Sequence, residues 1–434
     1  MMHQAGVYTE RYKSHHDATR ALKSRFEDNV DGRDYVAGLL SVPAKTRRVI
    51  YIHVPFCNKV CTFCPFHRPD ELKRREYESY LIGGIDRIAG FPYMRSPVDA
   101  VNFGGGTPTA ISPKQMAAVL RCLHDSFDIR PGAEISVETS VSELTDEMTQ
   151  VLKDGGVNRL SVGVQTFDDC GRALLGRRGS GSFAFERLER AKAAGFANLG
   201  IDLIYNWPGE TEEVWEKDLE AVKRLGLAGI SFYSLMLHEG TPIVSRISDE
   251  DKSLMADVSR ERMFFDMIMN ELATKGYRPF ELTKLIRDGL DRYDYMRIRH
   301  SGGSCIGIGH GAGGNLDRYV FHNSVHSPLL GPEAPVSSMG RVLKPEYFML
   351  DEMINDLQKT EVDLELYSER LGFDLPGLLE DIIAKAESAG LVKVSGTHVS
   401  LTQDGIFWGN NLIDEIIRRI VACIRTARTG FPKA

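Results

Sequence analysis

From residue 47 onward, short apolar runs rich in β-formers alternate with longer segments of helical periodicity, and this alternation constrains the fold of the 434-residue chain more than any other feature. The runs fall at 48–54, 99–103, 134–138, 159–164, 199–204 and 229–233. Between them, Pro113 to Phe127 places Met116, Leu120 and Leu123 at helical spacing. Thr211 is placed to N-cap a helix that carries Trp215, Leu219 and Val222 on one face and ends at Gly226. Ser248 and Asp251 read as a capping box ahead of a helix running to Gly276. Alternating βα units build a parallel sheet with right-handed crossovers. Six units fall short of a full eight-unit barrel.

The chemistry is concentrated at the end of the first run. Within Tyr51-Ile52-His53-Val54-Pro55-Phe56-Cys57-Asn58-Lys59-Val60-Cys61-Thr62-Phe63-Cys64-Pro65-Phe66-His67, three of the seven cysteines fall in eight positions. Pro55 ends the strand, so Cys57, Cys61 and Cys64 lie on the loop at its carboxyl end. Three thiolates are one short of a closed tetrahedral metal site, and no paired CxxC is present, which points to an open iron–sulfur cluster. In that reading they hold three irons of a [4Fe-4S] cube, the fourth iron is left for a small molecule, and Phe56, Phe63 and Phe66 shield the site. The alternative is a set of ordinary buried thiols or a redox pair. Cys122, Cys170, Cys305 and Cys423 are scattered, which suits isolated reduced thiols.

The loop resembles the cluster motif of radical S-adenosylmethionine (SAM) enzymes. Its lead-in is similar to the branch that contains oxygen-independent coproporphyrinogen III dehydrogenase, heme chaperones and two-SAM methyltransferases. The resemblance implies an α/β fold, a partial (β/α)6 barrel with a lateral opening, closed by a helical, winged-helix-like domain. It implies that Gly104, Gly105, Gly106 and Thr107 hold the SAM amino group. Glu138, Gln165, Arg177 and Asp202 are implied as further SAM contacts, and Phe63, Gly311 and Ala312 are assigned with them to the cofactors. His53 and Tyr51 are the candidate catalytic side chains, with Tyr233 on the same edge. Asn206-Trp207 stands where the family usually has Gly-Leu, which is expected to reshape the pocket floor.

Phe66 occupies the place of a fourth cysteine in coproporphyrinogen dehydrogenases, which disfavours decarboxylation. Residues 401–411 and the Gly-Ala-Gly-Gly at 311–314 look most like anaerobic heme-degrading methyltransferases, which use two SAM molecules, open the porphyrin and release iron. Methylation or cyclopropanation of another aromatic small molecule, porphyrinogen decarboxylation, and a heme chaperone without turnover remain open; for the chaperone, His67, His300, His310, His322 and His326 are the candidate ligands. A low-potential electron donor such as flavodoxin or ferredoxin is implied.

The remaining regions are less specific. Residues 1–46 read as an extension with a possible helix through 18–30, and 277–330 as a Gly-rich continuation whose glycines allow close backbone approach. Residues 331–434 read as a capping domain, with helices at 345–357, 364–371, 375–389 and 404–426 and a hairpin at 391–401. Apolar residues at 42% and charged residues at 26% fit a globular enzyme. A net charge of −7 and the absence of a nucleic-acid motif exclude general polyanion binding. No stretch approaches the roughly 20 apolar residues of a membrane span, and the chain is expected to be cytoplasmic.

Overall fold

The computed structural model describes residues 7–14, 22, 26–66, 73–324 and 340–426. Each of the six apolar runs is a strand: β1 (Arg48–Val54), β2 (Val98–Gly105), β3 (Ile129–Ser140), β4 (Arg159–Gln165), β5 (Asn198–Tyr205) and β6 (Gly229–Ser234). They pair in parallel in chain order. The helices between them bury their apolar faces on the outside of the sheet; Pro113–Ser126, for example, buries Met116, Val119, Leu120 and Leu123. Side chains at every second strand position face the other way. On β1, Tyr51 and His53 are only half-buried while their neighbours are buried, so these two face the open interior of the sheet.

The sheet is wider than the six units. After β7 (Tyr277–Glu281) and β8 (Lys284–Arg287), β9 (Ser304–Ile308) returns to pair in parallel with β1, followed by β10 (Gly313–Leu316), β11 (Tyr319–His322) and β12 (Arg341–Val342). The result is one open sheet of twelve strands, ordered β12-β11-β10-β9-β1-β2-β3-β4-β5-β6-β8-β7. Its seven central strands are parallel and the additions at both edges are antiparallel. The glycines of 303–314 serve this packing: a Cβ on Gly307 would lie 2.7 Å from Gly313 O, and one on Gly314 would lie 2.4 Å from Cys305 O. The Gly-rich segment is therefore built for strand–strand approach.

Thr211 caps Val214 N, and its helix (Glu212–Leu225) ends at Gly226 with φ of 55°. Ser248 and Asp251 form the capping box, but the helix stops at Ala256. Asp257 is extended, and its side chain accepts from Ser259 N, so it opens a second helix, Val258–Ala273. A helix-compatible pattern with an internal Asp can hide this break, because Asp competes for backbone N–H groups.

The carboxyl-terminal region has helices Pro345–Gln358, Leu364–Leu371 and Leu375–Ser388, then β14 (Val392–Ser395) and β15 (His398–Leu401). A short strand, β13 (Glu361–Asp363), completes a separate three-stranded sheet, a winged-helix-like layout. The last helix is two, Gln403–Phe407 and Gly409–Thr426, parted at Trp408. Residues 7–14 bridge this region and the barrel: Arg11 Nε donates to Phe407 O at 2.7 Å, and its Nη1 reaches the Tyr205 hydroxyl and Glu261. The expected helix through 18–30, His67 and His326 lie wholly or mainly outside the described residues. No helix among the described residues is long and apolar enough to cross a membrane.

Candidate functional site

The cysteine loop is pinned from three sides. Gly106 N donates to Val54 O at 2.9 Å and Thr107 N to Phe56 O at 2.7 Å, which lays the glycine turn after β2 directly on the loop after β1. Thr62, buried in the middle of the loop, donates from its hydroxyl to Leu174 O at 2.7 Å and accepts from Ile243 N at 3.0 Å. Beneath it, Phe63 packs with Leu175, Ile204, Trp207, Leu235 and Ile243 in a separate apolar cluster. Phe56 meets Tyr77 edge-on at 5.0 Å. Phe66, expected to shield the site, is instead 75% exposed, because Phe63 already fills the apolar patch under the loop.

No disulfide joins the seven cysteines, and Cys57, Cys61 and Cys64 are half-buried. Thr107 Oγ1 lies 3.5 Å from Cys57 Sγ, and Arg177 Nη1 donates to Cys61 Sγ at 3.0 Å. Among the described residues, no three His, Cys, Asp or Glu side chains are placed to hold a single metal ion. Three splayed thiols on one loop suit a polynuclear cluster, in which each thiolate takes its own iron. The residues therefore fit a [4Fe-4S] group held by Cys57, Cys61 and Cys64.

The turn beside the loop has no room for side chains. A Cβ on Gly104 would lie 2.8 Å from Glu138 Oε1 and from the Tyr51 ring; one on Gly105, at φ of 118°, would lie 2.8 Å from Val54 O. On Gly106 it would sit 2.6 Å from Phe56 O and 3.0 Å from Cys57 Sγ. Glycine leaves backbone groups bare beside the thiols, the requirement for holding a polar ligand there.

Around this turn the inward strand positions carry polar groups. Glu138 (β3) is accessible to water within the open interior, yet the surrounding protein encloses it, and that enclosure pushes its carboxyl up to about 7. Asn102 donates to it at 3.3 Å and opposes the rise, while Asp202 adds to it. Burial raises the Asp202 carboxyl too, against the pull of Lys284. Gln165 sits at a bulge in β4 with φ of 76°, a strained conformation for a side-chain-bearing residue. Its amide and the Arg177 guanidinium flank Gly163, whose carbonyl accepts from Arg177 Nη2. Arg177 Nε is buried with no protein partner.

His53 shares a hydrogen bond of 3.0 Å with the Tyr51 hydroxyl through Nδ1. Burial, with smaller contributions from His310 and His322, lowers its pKa to about 4, so the imidazole is neutral near pH 7. Burial also raises the Tyr51 hydroxyl well above its usual range. A Cβ on Gly311 would lie 3.1 Å from His53 Nε2, so this glycine lets the β9–β10 turn close over the ring. Ala312 behind it is fully buried. The β9 return thus brings Gly311, His310 and His322 to the ring of His53; by contrast His300 is at the far end of the interior, 3.5 Å from Glu281.

The Asn206-Trp207 pair is explained by the backbone. Asn206 has φ of 59°, the left-handed region that glycine favours and Asn tolerates. Its amide donates to Met255 O at 2.9 Å and its oxygen accepts from Arg260. Trp207 joins the apolar cluster under Phe63. Both side chains are buried at this turn.

The floor of the interior was missed from sequence. Arg159, at the start of β4, donates from Nε and Nη2 to Asp291 at 3.0 and 3.1 Å, with Glu134 at 4.0 Å and Lys284 3.6 Å from Asp291. Its guanidinium lies 4.2 Å over the ring of Tyr293. Burial would raise the Asp291 carboxyl, but Arg159 and Lys284 hold it down to about 2. The one available signal was the period-two polar pattern Glu134, Ser136, Glu138 along β3.

Comparison with known proteins places this geometry. The Radical SAM superfamily matches residues 51–222, and the HemN C-terminal domain matches residues 343–408. The heme chaperone HemW of Lactococcus lactis is 28% identical over 85% of the chain and 96% of the relative. Anaerobilin synthase of Escherichia coli O157:H7 is 26% identical over 85% and 84%. Among solved structures, coproporphyrinogen III oxidase (HemN) from Escherichia coli superposes with a TM-score of 0.76 at 21% identity, covering 95% of this chain and 96% of that one.

Proposed function

We propose, from the match of residues 51–222 to the Radical SAM superfamily and of residues 343–408 to the HemN C-terminal domain, that the chain is a radical C-methyltransferase of a tetrapyrrole that uses two SAM molecules and opens the ring. The observation that carries the reading is the stacking of the three-thiol loop on the Gly104–Thr107 turn, with Arg177 bonded to Cys61. When bound, a reduced [4Fe-4S] cluster supplies the electron that cleaves the sulfonium of SAM to a carbon radical.

The chain's own residues do the rest. Gly104, Gly105, Gly106 and Thr107 offer bare backbone to a ligand's amino group beside the thiols. Glu138 and Asp202 face a sulfonium and ammonium with carboxylates, and because Glu138 titrates at about 7 this attraction strengthens as pH rises through that value. Gln165 and the Nε of Arg177 have polar capacity for a ribose or carboxylate. His53, neutral and held by Tyr51, is a positioned acceptor or donor that does not add a cation to a site for a cationic ligand. Phe63 with its apolar cluster shields one side of the loop from water, and Gly311 lets the β9–β10 turn close over the ring of His53.

Two observations favour carbon transfer over decarboxylation: Phe66 instead of cysteine after Cys64, and the relation to anaerobilin synthase along most of both chains. A heme chaperone is the second reading, supported by the comparable relation to HemW. The test is anaerobic reconstitution with iron and sulfide, followed by reduction with SAM and heme. A methylated, ring-opened tetrapyrrole with 5′-deoxyadenosine is expected. Stoichiometric heme binding without SAM consumption selects the chaperone, and decarboxylated propionates on coproporphyrinogen overturn the methyl-transfer reading.

A further inference from the structure

The outer face of the cysteine loop departs from the character of the chain. The protein carries a net charge of −7, yet cations ring this loop. Lys59 is exposed on the loop itself, next to Val60, which is 48% exposed. Asn58, the residue after Cys57, gathers the others: Arg178 Nη2 donates to its carbonyl at 3.2 Å, and Arg74 donates to its side-chain oxygen. Gln115 binds the carbonyls of Arg74 and Arg75 at 3.1 and 3.2 Å, which brings the exposed Lys114 beside them. Among the described residues, the acids bonded here are Glu143, which accepts from Asn58 Nδ2 at 2.6 Å, and Glu76, paired with Arg75 at 3.1 Å. Lys59, Arg74, Arg178 and Lys114 have no carboxylate partner among the described ion pairs.

We infer that this basic collar around the exposed Val60 is the docking face for a small acidic electron-carrier protein. The inference rests on the cluster reading of Cys57, Cys61 and Cys64. An apolar centre with a charged rim is the anatomy of a transient protein interface. On a molecule of overall negative charge, long-range repulsion works against an acidic partner, so attraction has to be local to the place where the electron enters. The collar meets that requirement, since Lys59 and Asn58, to which Arg74 and Arg178 are bonded, lie on the loop between Cys57 and Cys61. The transfer is one electron: the carrier is oxidised by one, the cluster is reduced by one, and no atom or proton crosses the interface.

The experiment uses flavodoxin as the acidic carrier and compares the full-length protein with the double variant Lys59→Glu/Arg178→Glu. Calorimetric titration with oxidised flavodoxin at low ionic strength is expected to show affinity about tenfold or more weaker in the variant, and salt should weaken the wild type alone. Stopped-flow reduction of the reconstituted cluster by flavodoxin hydroquinone should slow in parallel, while iron content and reduction by titanium(III) citrate stay unchanged. Equal flavodoxin affinity in the two proteins, or no salt-sensitive binding by the wild type, overturns the docking face. Titration of protein without iron separates the outcomes: retained, charge-dependent binding there keeps the docking face even if no cluster forms, whereas failure of iron loading alone counts against the cluster reading.

Discussion

Strand β4 begins and ends in two different chemistries. At its start Arg159 is fully enclosed and bound bidentately to Asp291, and its partners Glu134 and Lys284 are buried too. At its end Gln165 is strained, and nearby Arg177 leaves Nε unmatched. The same seven residues thus run from a closed ion network to a rim with spare polar capacity. The difference teaches where stability and function sit in this barrel: charges satisfied by the protein at the floor, charges held for something else at the rim.

The largest expected effect breaks the rim and spares the floor. Cys57→Ala should abolish 5′-deoxyadenosine formation and lower bound iron, with the thermal midpoint shifted by no more than a few degrees; wild-type turnover by this variant would remove the cluster reading. The converse is Arg159→Met, which leaves Glu134 without its cation and Asp291 with Lys284 alone. It should cost about 3–5 kcal/mol in a denaturant titration, and a loss under 1 kcal/mol would show that the floor is not a stability element. Arg177→Met is the matched rim change: SAM affinity should fall while the denaturation midpoint stays near wild type.

A smaller effect comes from His53. Its pKa in the folded protein, about 4, lies below the 6.5 of an ordinary histidine, so the unfolded chain binds more protons between those values. Stability from this group is present above pH 6.5, is lost progressively as pH falls towards 4, and amounts to on the order of 2–3 kcal/mol. His53→Gln should flatten that part of the stability–pH curve. The smallest change is at Asn206: Asn206→Ala should cost roughly 1–2 kcal/mol through its φ of 59° and lost hydrogen bonds, and Asn206→Gly less. Equal costs for the two would mean that the backbone conformation is not what selects Asn.

The rim was legible in the sequence and the floor was not, for the same physical reason. Rim residues are local: Cys57, Cys61 and Cys64 are on one loop, and Gly104 to Thr107 on one turn, so spacing alone displays them. Arg159 and Asp291 are 132 positions apart, joined only when β8 folds back antiparallel on β6. The six barrel strands were read from apolar runs. The seventh parallel strand, β9, was masked by the glycines around it, whose role is to let β10 approach. Helix breaks at Asp257 and Trp408 were hidden because one extended residue, or one loose turn, leaves helical periodicity almost intact. Asn206 shows the reverse, a departure in sequence that the backbone absorbs.

The amino-terminal segment has a consequence in time. Tyr8 bonds Glu415 and Arg11 bonds Phe407 O, across separations of 407 and 396 residues. Tyr8 and Arg11 gain these two partners only once residues 407 and 415 have been made, whereas Tyr205 and Glu261 are available to Arg11 earlier. The parallel strands β1 to β6 can pair as they emerge, but this strap closes only after residue 415 has followed them. A nascent chain therefore passes through a stage in which Arg11 can bond Tyr205 and Glu261 but not Phe407 O, and a chain stopped short of residue 407 remains at that stage.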